Sequence, residues 1–539
     1  MSKHLTMARF LTIILSLTIG ISAFGQKSDF ALSIIENTRI TGLPEVQSFV
    51  WGKDTLGRWL VIGGRTDGLH KRRPFESFLA SGNNTVISVI NPTKGTVKSA
   101  QLSDLPTAIF EQLQSTNMQF EQVGDILYIA GGYAYSSTAK DHVTFDRITT
   151  VEVNAVIEAI SNGHPITSYF KTTKDQRLQV TGGYMDYLDG KFFLVGGQNF
   201  QGRYNPMGPG HGPGFTQTYS EEIKRFEIDL STGSSVIKNY TAQKDTLNLH
   251  RRDYNMGAQI FPNGRRGFTA FSGVFQHNVD LPFLNCVDID SSNYKVRNDF
   301  SQLLSQYHSA HLPVFDSSEN EMSTVFFGGI AQYYIDANGE TKEDQDVPFV
   351  KTISRVVRTS DDNLIELAYP FLMPDYLGSG AEFIPSNEEY FDDMGILHLS
   401  RLPGDKTLVG YIYGGIKSDV PNGFFSNSTL SKASSKVFEV YIDKTSTSVS
   451  EPVKQIGKLR FKVSPNPANY VLTLTLLDFN GESTKARLMN SDGEIVWRYN
   501  RFSVGSKVKL STAALPEGIY FLQVGNKNEN TTEKVVIAH

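Results

Sequence analysis

Six stretches of the chain share one pattern, an apolar run ending in a pair of small residues. They are Trp59-Leu-Val-Ile-Gly63-Gly64, Leu127-Tyr-Ile-Ala-Gly131-Gly132, Phe192-Phe-Leu-Val-Gly196-Gly197, Phe268-Thr-Ala-Phe-Ser272-Gly273, Val325-Phe-Phe-Gly328-Gly329 and Val409-Gly-Tyr-Ile-Tyr-Gly414-Gly415. The copies recur at intervals of roughly 55 to 85 residues, and only the fourth replaces the first Gly, with Ser. A short apolar run rich in Val, Ile and aromatics reads as a buried strand. Glycine has no Cβ, so a Gly pair lets the backbone take positive φ and approach a neighbour closely. One such pair is weak evidence, but six after six apolar runs mark a repeat architecture.

Working outward from each copy gives the rest of the unit. Polar turns precede the apolar run, as at Val123-Gly124-Asp125, Leu188-Asp189-Gly190-Lys191 and Pro262-Asn263-Gly264-Arg265. Turns of this composition join hairpin strands. After each pair come a loop of variable length and a third strand: Val86 to Ile90, Ile148 to Val153, Ile223 to Ile228, Asn285 to Ile289, Ile353 to Arg358 and Val437 to Ile442. A fourth strand follows most of them, for example Val236 to Tyr240 and Leu364 to Tyr369. Four antiparallel strands in each of six units predict an all-β propeller. The last unit has no fourth strand before a Ser/Thr-rich stretch begins. The segment Ala31 to Glu36 is predicted to supply it and to close the ring as a mixed blade.

This pattern resembles the Kelch family over about residues 27 to 450, with the Gly pairs and the Tyr-Ile-Ala-Gly-Gly and Phe-Leu-Val-Gly-Gly stretches carrying the likeness. The Trp usual in a fourth Kelch strand is absent, since the tryptophans are Trp51, Trp59 and Trp497. Six blades are expected, with seven left open.

The chain divides into four parts: residues 1–25, 26–444, 445–458 and 459–539. In the first, Lys3, His4 and Arg9 precede an apolar run from Phe10 to Ile21, and Ala23-Phe24-Gly25 offers a cleavage site before Gln26. That is the layout of a signal peptide, and the run is shorter than the ~20 residues a spanning helix needs. No later stretch is long and apolar enough to span. A formal charge of −5 and a pI near 6.2 give no electrostatic case for nucleic acid. The single Cys286 can form no internal disulfide, so packing alone must hold the exported fold.

Residues 445–458 read as a linker. After it, Ser464-Pro465-Asn466-Pro467-Ala468, Leu515-Pro516-Glu517-Gly518-Ile519-Tyr520-Phe521 and Lys534-Val-Val-Ile537 punctuate a small sandwich of about seven short strands. These three motifs, in this order, resemble the type A sorting domain of type IX secretion cargo. The resemblance implies export through the outer membrane, engagement of the type IX machinery, release or surface attachment after removal of the tail, and a Bacteroidetes-type source.

Propeller geometry puts the loop after each Gly pair and the loop before each first strand on one face, where binding surfaces are carried. On these loops the candidates are Arg65 and His70, in a basic cluster suited to bidentate capture of a carboxylate, and Arg203 and Tyr204 in a Gly/Pro-rich insert. Residues entering first strands are expected to face the central channel: Arg177, His250, Arg251, Arg252, Tyr254, His308 and Tyr390. No catalytic residue stands out and no cofactor is anticipated. Cys286 falls on a third strand, away from the axis that a galactose-oxidase-like copper site would need. No metal site is read either, because His308 and His311, three apart on a strand, would lie on opposite faces. Two functions stay open: a secreted or surface protein binding a glycan or protein ligand, and a carbohydrate-active enzyme of epimerase or mutarotase type on the same face.

Overall fold

The computed structural model describes residues 30–444 apart from 209, 232, 405 and 424–429, and in the tail residues 454–456, 460–478, 484–502, 507–525 and 530–539. Residues 1–25, expected to be a signal peptide, and most of residues 445–458, expected to be a linker, lie outside the described residues.

Each of the first five Gly-pair units forms four antiparallel strands that lie side by side in chain order, and the sixth supplies three. Sheet 1 is Val50–Lys53, Trp59–Ile62, Val86–Asn91 and Thr96–Gln101. Sheet 2 is Gln119–Val123, Ile126–Ala130, Arg147–Glu152 and Phe170–Lys174, and sheet 3 is Tyr184–Leu188, Lys191–Val195, Glu222–Asp229 and Val236–Lys244. Sheet 4 is Asn255–Ile260, Arg266–Phe271, Cys286–Asp290 and Tyr294–Arg297. Sheet 5 has Ala310–Asp316, Glu321–Phe327, Thr352–Arg358 and Leu364–Leu372 as its four consecutive strands. Sheet 6 is Tyr376–Pro385, Lys406–Ser418 and Val437–Asp443, completed on its outer edge by the N-terminal strand Ala31–Glu36. That strand runs antiparallel to its partner from Ala31↔Asp443 to Glu36↔Phe438, the closure anticipated above.

The sheets surround one axis, and a collar of backbone hydrogen bonds marks it. Ser48, Asn117, Gly182, Asp253, His308 and Gly380, one per sheet, all have positive φ. Asn117 N–H donates to Ser48 O (3.3 Å), Gly182 to Asn117 (3.2 Å), Asp253 to Gly182 (2.8 Å), Gly380 to His308 (2.6 Å) and Ser48 to Gly380 (2.8 Å). The left-handed conformation turns these peptide groups around the axis instead of along a strand. Asn, Asp and Gly adopt it at little cost.

The Gly pairs bind each sheet to the next. Both members of every pair have positive φ, including Ser272 of the fourth copy. The second glycine donates its N–H to the entry segment of the following sheet: Gly64 to Ser115 O, Gly132 to Val180 O, Gly197 to Arg251 O, Gly329 to Leu377 O and Gly415 to Val46 O. A Cβ at Gly131 would stand 1.8 Å from the Val180 carbonyl oxygen, so no side chain fits there.

Core packing lies between neighbouring sheets. Leu60, Ile62 and Val89 of sheet 1 meet Leu127, Ile129 and Val151 of sheet 2 in one apolar cluster, and similar clusters join the other pairs. Each such side chain contributes roughly 1.5–3 kcal/mol on burial. A helix at Val153–Asn162 wedges into the first cluster with Val153, Val156, Ile157 and Ile160. It was not anticipated, although its apolar spacing of three and four residues is a helical signal. In the tail, a three-stranded and a four-stranded sheet enclose Leu474, Leu488, Leu522 and Val535. Within the expected linker, Lys454–Ile456 pairs with Leu364–Leu372, extending the outer edge of sheet 5. An edge strand presents unpaired backbone groups, and the linker satisfies part of that edge.

Candidate binding cavity and the sorting tail

The loops after the Gly pairs converge with the collar on one face and enclose a cavity of about 440 Å³. All six sheets contribute to its wall, from Leu69 of the sheet 1 loop to Asn422 of the sheet 6 loop. One side is aromatic. His70 stacks on Phe78 (ring centroids 5.0 Å) and meets Tyr204 edge-on (4.6 Å), and Phe78 packs edge-on against Tyr133 (5.3 Å). Tyr133 Oη donates to Gly202 O (2.7 Å) and accepts from Tyr204 N–H (3.3 Å), which fixes the insert against the wall. Burial, with the Arg252 charge adding to it, pushes His70 down to about 4, so the ring is neutral at physiological pH.

The floor is polar. Asn117 Nδ2 donates to Asp253 Oδ1 (3.2 Å), and Arg252 pairs with the same carboxylate. Arg252 also donates from Nε to Tyr219 Oη (3.2 Å) and lies over the Phe275 ring, 5.1 Å from its centroid. His308 borders the floor, and burial holds it below the usual imidazole range, with Asp253 opposing.

Below the collar the axis opens into a second space of about 240 Å³, with Asn117, Asp253 and His308 lining both. Its wall carries three carboxyl groups on inner strands: Glu121, Asp186 and Glu382. Burial raises all three. Glu121 and Asp186 add mutual or neighbouring negative charge, and Glu382 reaches about 8 despite a hydrogen bond from Trp51. Sequence reasoning did not single them out. The available signal was an acidic residue inside an alternating first strand, as in Tyr184-Met185-Asp186-Tyr187.

Of the predicted candidates, Arg65, His70, Tyr204, Arg252 and His308 line the cavity. Arg65 is buried and spans Asp67, Asn83 Oδ1 (2.9 Å) and Leu79 O (3.1 Å), so it organises the sheet 1 loop. Tyr254 faces the lower space, with its hydroxyl donated to Val195 O (2.7 Å). Arg203 lies outside, donating to Phe75 O (2.9 Å). Three residues depart from the expected channel-facing position. Arg251 is fully buried inside sheet 4, where it donates to Ser272 O (2.6 Å) and to Asn285 O (2.9 Å), because its guanidinium can satisfy several orphan carbonyls there. Arg177 sits in a 3-10 turn capped by Asp175, ahead of the true first strand, and lies over Tyr240 on the outer strand of sheet 3. Tyr390 follows the first strand of sheet 6, Tyr376–Pro385, and so belongs to a turn that packs on the core between sheets 5 and 6. His250 lines neither space and instead stacks on Tyr219, with Nδ1 2.9 Å from Glu221 Oε1. The expectation for His308 and His311 also changes. His308 precedes the strand with φ +52°, so strand alternation does not apply, and both rings line the lower space. Cys286 is buried on the third strand of sheet 4, its thiol pushed up to about 12 by burial.

The tail brings its three motifs together. Asn466 donates from Nδ2 to Lys534 O (2.9 Å) and accepts from Val536 N–H (2.9 Å), pinning the opening motif to the closing one. Gly518 pairs with Ile537, placing the middle motif beside the closing strand. Residues 462–538 match the family of the secretion system C-terminal sorting domain. The tail is the sorting domain of type IX secretion. A protein bearing this sorting domain is delivered to the cell surface or the extracellular space.

No curated protein matches the chain. Among solved structures it is similar to a fungal alcohol oxidase of the AA5 family in complex with copper, at 10% identity and TM-score 0.37 over 95% of this chain and 100% of that one. It is similar also to YjhT, at 10% identity and TM-score 0.41 over 75% and 100%. A third is Penicillium chrysogenum alpha-L-arabinanase complexed with arabinobiose, at 9% identity and TM-score 0.37 over 75% and 94%. Likeness at this level assigns no activity. Among the described residues no helix is long and apolar enough to cross a membrane.

Proposed function

We propose that the exported propeller binds a glycan in the cavity on its loop face. The observation that carries this reading is the pairing of an aromatic wall, His70, Phe78 and Tyr204, with a hydrogen-bonding floor of Asn117, Arg252 and Asp253, in a space of about 440 Å³. Sugar rings present apolar C–H faces and hydroxyl edges, so they need both kinds of surface. A volume within the range of roughly 300–1,000 Å³ holds a small ligand with most of its surface covered.

The test is a glycan array probed with the full chain, followed by calorimetry on each hit. Tyr204→Ala is expected to weaken the retained glycan at least tenfold, while Arg177→Ala, on the outer flank, leaves it unchanged. Retention of no glycan, or affinity indifferent to Tyr204→Ala, overturns the reading.

A second reading, a carbohydrate-active enzyme, draws on Asp253 and His308 sharing the floor above three half-buried carboxyl groups. Acid–base chemistry on a sugar uses such groups. Product formation from an array hit, abolished by Asp253→Asn with binding retained, would favour it over simple binding.

A further inference from the structure

Three residues from separate loops meet between sheets 3 and 4, where Tyr219 connects His250 to the cavity residue Arg252. Glu221 ends the loop returning to the third strand of sheet 3, His250 precedes the first strand of sheet 4, and His277 belongs to the loop after the Ser272-Gly273 pair. Their donor atoms all lie within 4.8 Å of one another. We propose that Glu221, His250 and His277 form a binding site for a divalent transition-metal ion of the Zn²⁺ class.

Two imidazoles and one carboxylate are a donor set that suits such an ion, with further coordination positions left for water. The surroundings orient each donor. His250 is held in a stack between Tyr219 (ring centroids 3.7 Å) and His277 (3.8 Å). Its Nδ1 lies 2.9 Å from Glu221 Oε1, the hydrogen bond an entering ion replaces. His277 Nε2 is hydrogen-bonded to the Thr246 carbonyl, which makes that nitrogen the protonated one and leaves Nδ1 as the ligand. A backbone carbonyl behind a ligating histidine is a common supporting arrangement. Lys244 Nζ stands 3.3 Å from Glu221 Oε2 and engages the oxygen turned away from His250. His277 is exposed, so an ion has a path from solvent.

Occupancy would tie the sheet 4 loop, which carries the cavity residue Phe275, to the loop of sheet 3 that carries Tyr219. The site therefore acts as a pin on one wall of the cavity, independent of what the cavity binds.

The full chain, stripped with chelator and dialysed, is titrated with Zn²⁺ by calorimetry, with Co²⁺ as a second probe by absorption spectroscopy. One ion per chain is expected, with a Co²⁺ spectrum showing nitrogen ligation. Glu221→Gln should weaken uptake at least tenfold, and His277→Ala should abolish the Co²⁺ signature. His277 is exposed, so its variant retains the fold, which an unchanged thermal midpoint without metal verifies. His164→Ala, remote from this cluster, serves as the control and should bind like the parent chain. Absence of stoichiometric uptake, or uptake unchanged in His277→Ala, overturns the proposal.

Discussion

Gly131 shows how a single atom decides the architecture. Its φ of +64° and the 1.8 Å that would separate a Cβ from Val180 O leave no room for alanine. Gly131→Ala is expected to destabilise the protein by roughly 3 kcal/mol, combining backbone strain with displacement of a packed neighbour. Gly124→Ala, at a hairpin turn with φ +61° and open space around it, should cost only about 1 kcal/mol. Denaturant melts of both variants separate the two effects, and equal losses would refute the account of the pair. Glu382 gives a residue-scale prediction with pH. Its folded pKa of about 8 lies above the ordinary glutamate value, because burial penalises the charged form. Between roughly pH 4.5 and 8 the native state keeps a proton that the unfolded chain has released, so stability falls across that window and levels off above it. Glu382→Gln removes this slope. The variant should gain roughly 2 kcal/mol on the parent between pH 5 and pH 9, a figure reduced from the full shift because the Glu382 side chain is only half-buried. Parallel melting curves over that range would contradict the assignment.

At the scale of elements, Ala31–Glu36 is the piece on which the ring depends. Leu32 is 6% exposed and packs in the cluster shared by sheets 5 and 6, and Asn37 donates to Glu439 Oε1 at 2.9 Å just beyond the strand. Removing residues 31–36 should bare the Val437–Asp443 edge, and the expected outcome is self-association visible by light scattering together with a lower melting temperature. Leu32→Ala alone should cost roughly 2–4 kcal/mol. The strand was readable in advance because the last unit lacked a partner and the first had one to spare. The inner strand of sheet 6 was less legible. Tyr376–Pro385 contains Gly378 and Gly380 and shifts register between Tyr376 and Ser379, so its alternation is broken and the sequence pattern points to Tyr390 instead. The helix Val153–Asn162 is masked at its start, where the mostly β-branched stretch Ile148-Thr-Thr-Val-Glu-Val153 runs from the strand straight into the first helical residue.

At the scale of the whole molecule, the repeat was legible because the Gly pair answers a local demand that recurs in each unit. The cavity was legible only in part. Arg252 and His308 precede first strands, a position legible in sequence, and both line the cavity, whereas Glu221, His250 and His277 meet only once sheets 3 and 4 stand side by side. Arg251 shows the limit of such reasoning. It is adjacent to Arg252 in sequence and of the same type, yet the carbonyls of Ser272 and Asn285 draw it into sheet 4, where it is fully buried. The sorting domain is the part whose three motifs reported directly on a destination. A chain lacking residues 462–538 should accumulate inside the cell envelope, and cell fractionation with immunodetection tests this. Its appearance in the medium at the parent level would disconnect the tail from export.

The pairing of Ala31–Glu36 with Val437–Asp443 also sets an order of events. Synthesis runs from the N-terminus, so the first strand to emerge waits for a partner made some 400 residues later, as the contact between Asn37 and Glu439 spans 402 positions. Until residue 443 is available the disc is an unlatched spiral with two raw edges, and contacts of such long range form slowly. Any nascent or threaded chain therefore stays unlocked until residue 443 of its 539 has passed, and only then does the circle snap shut.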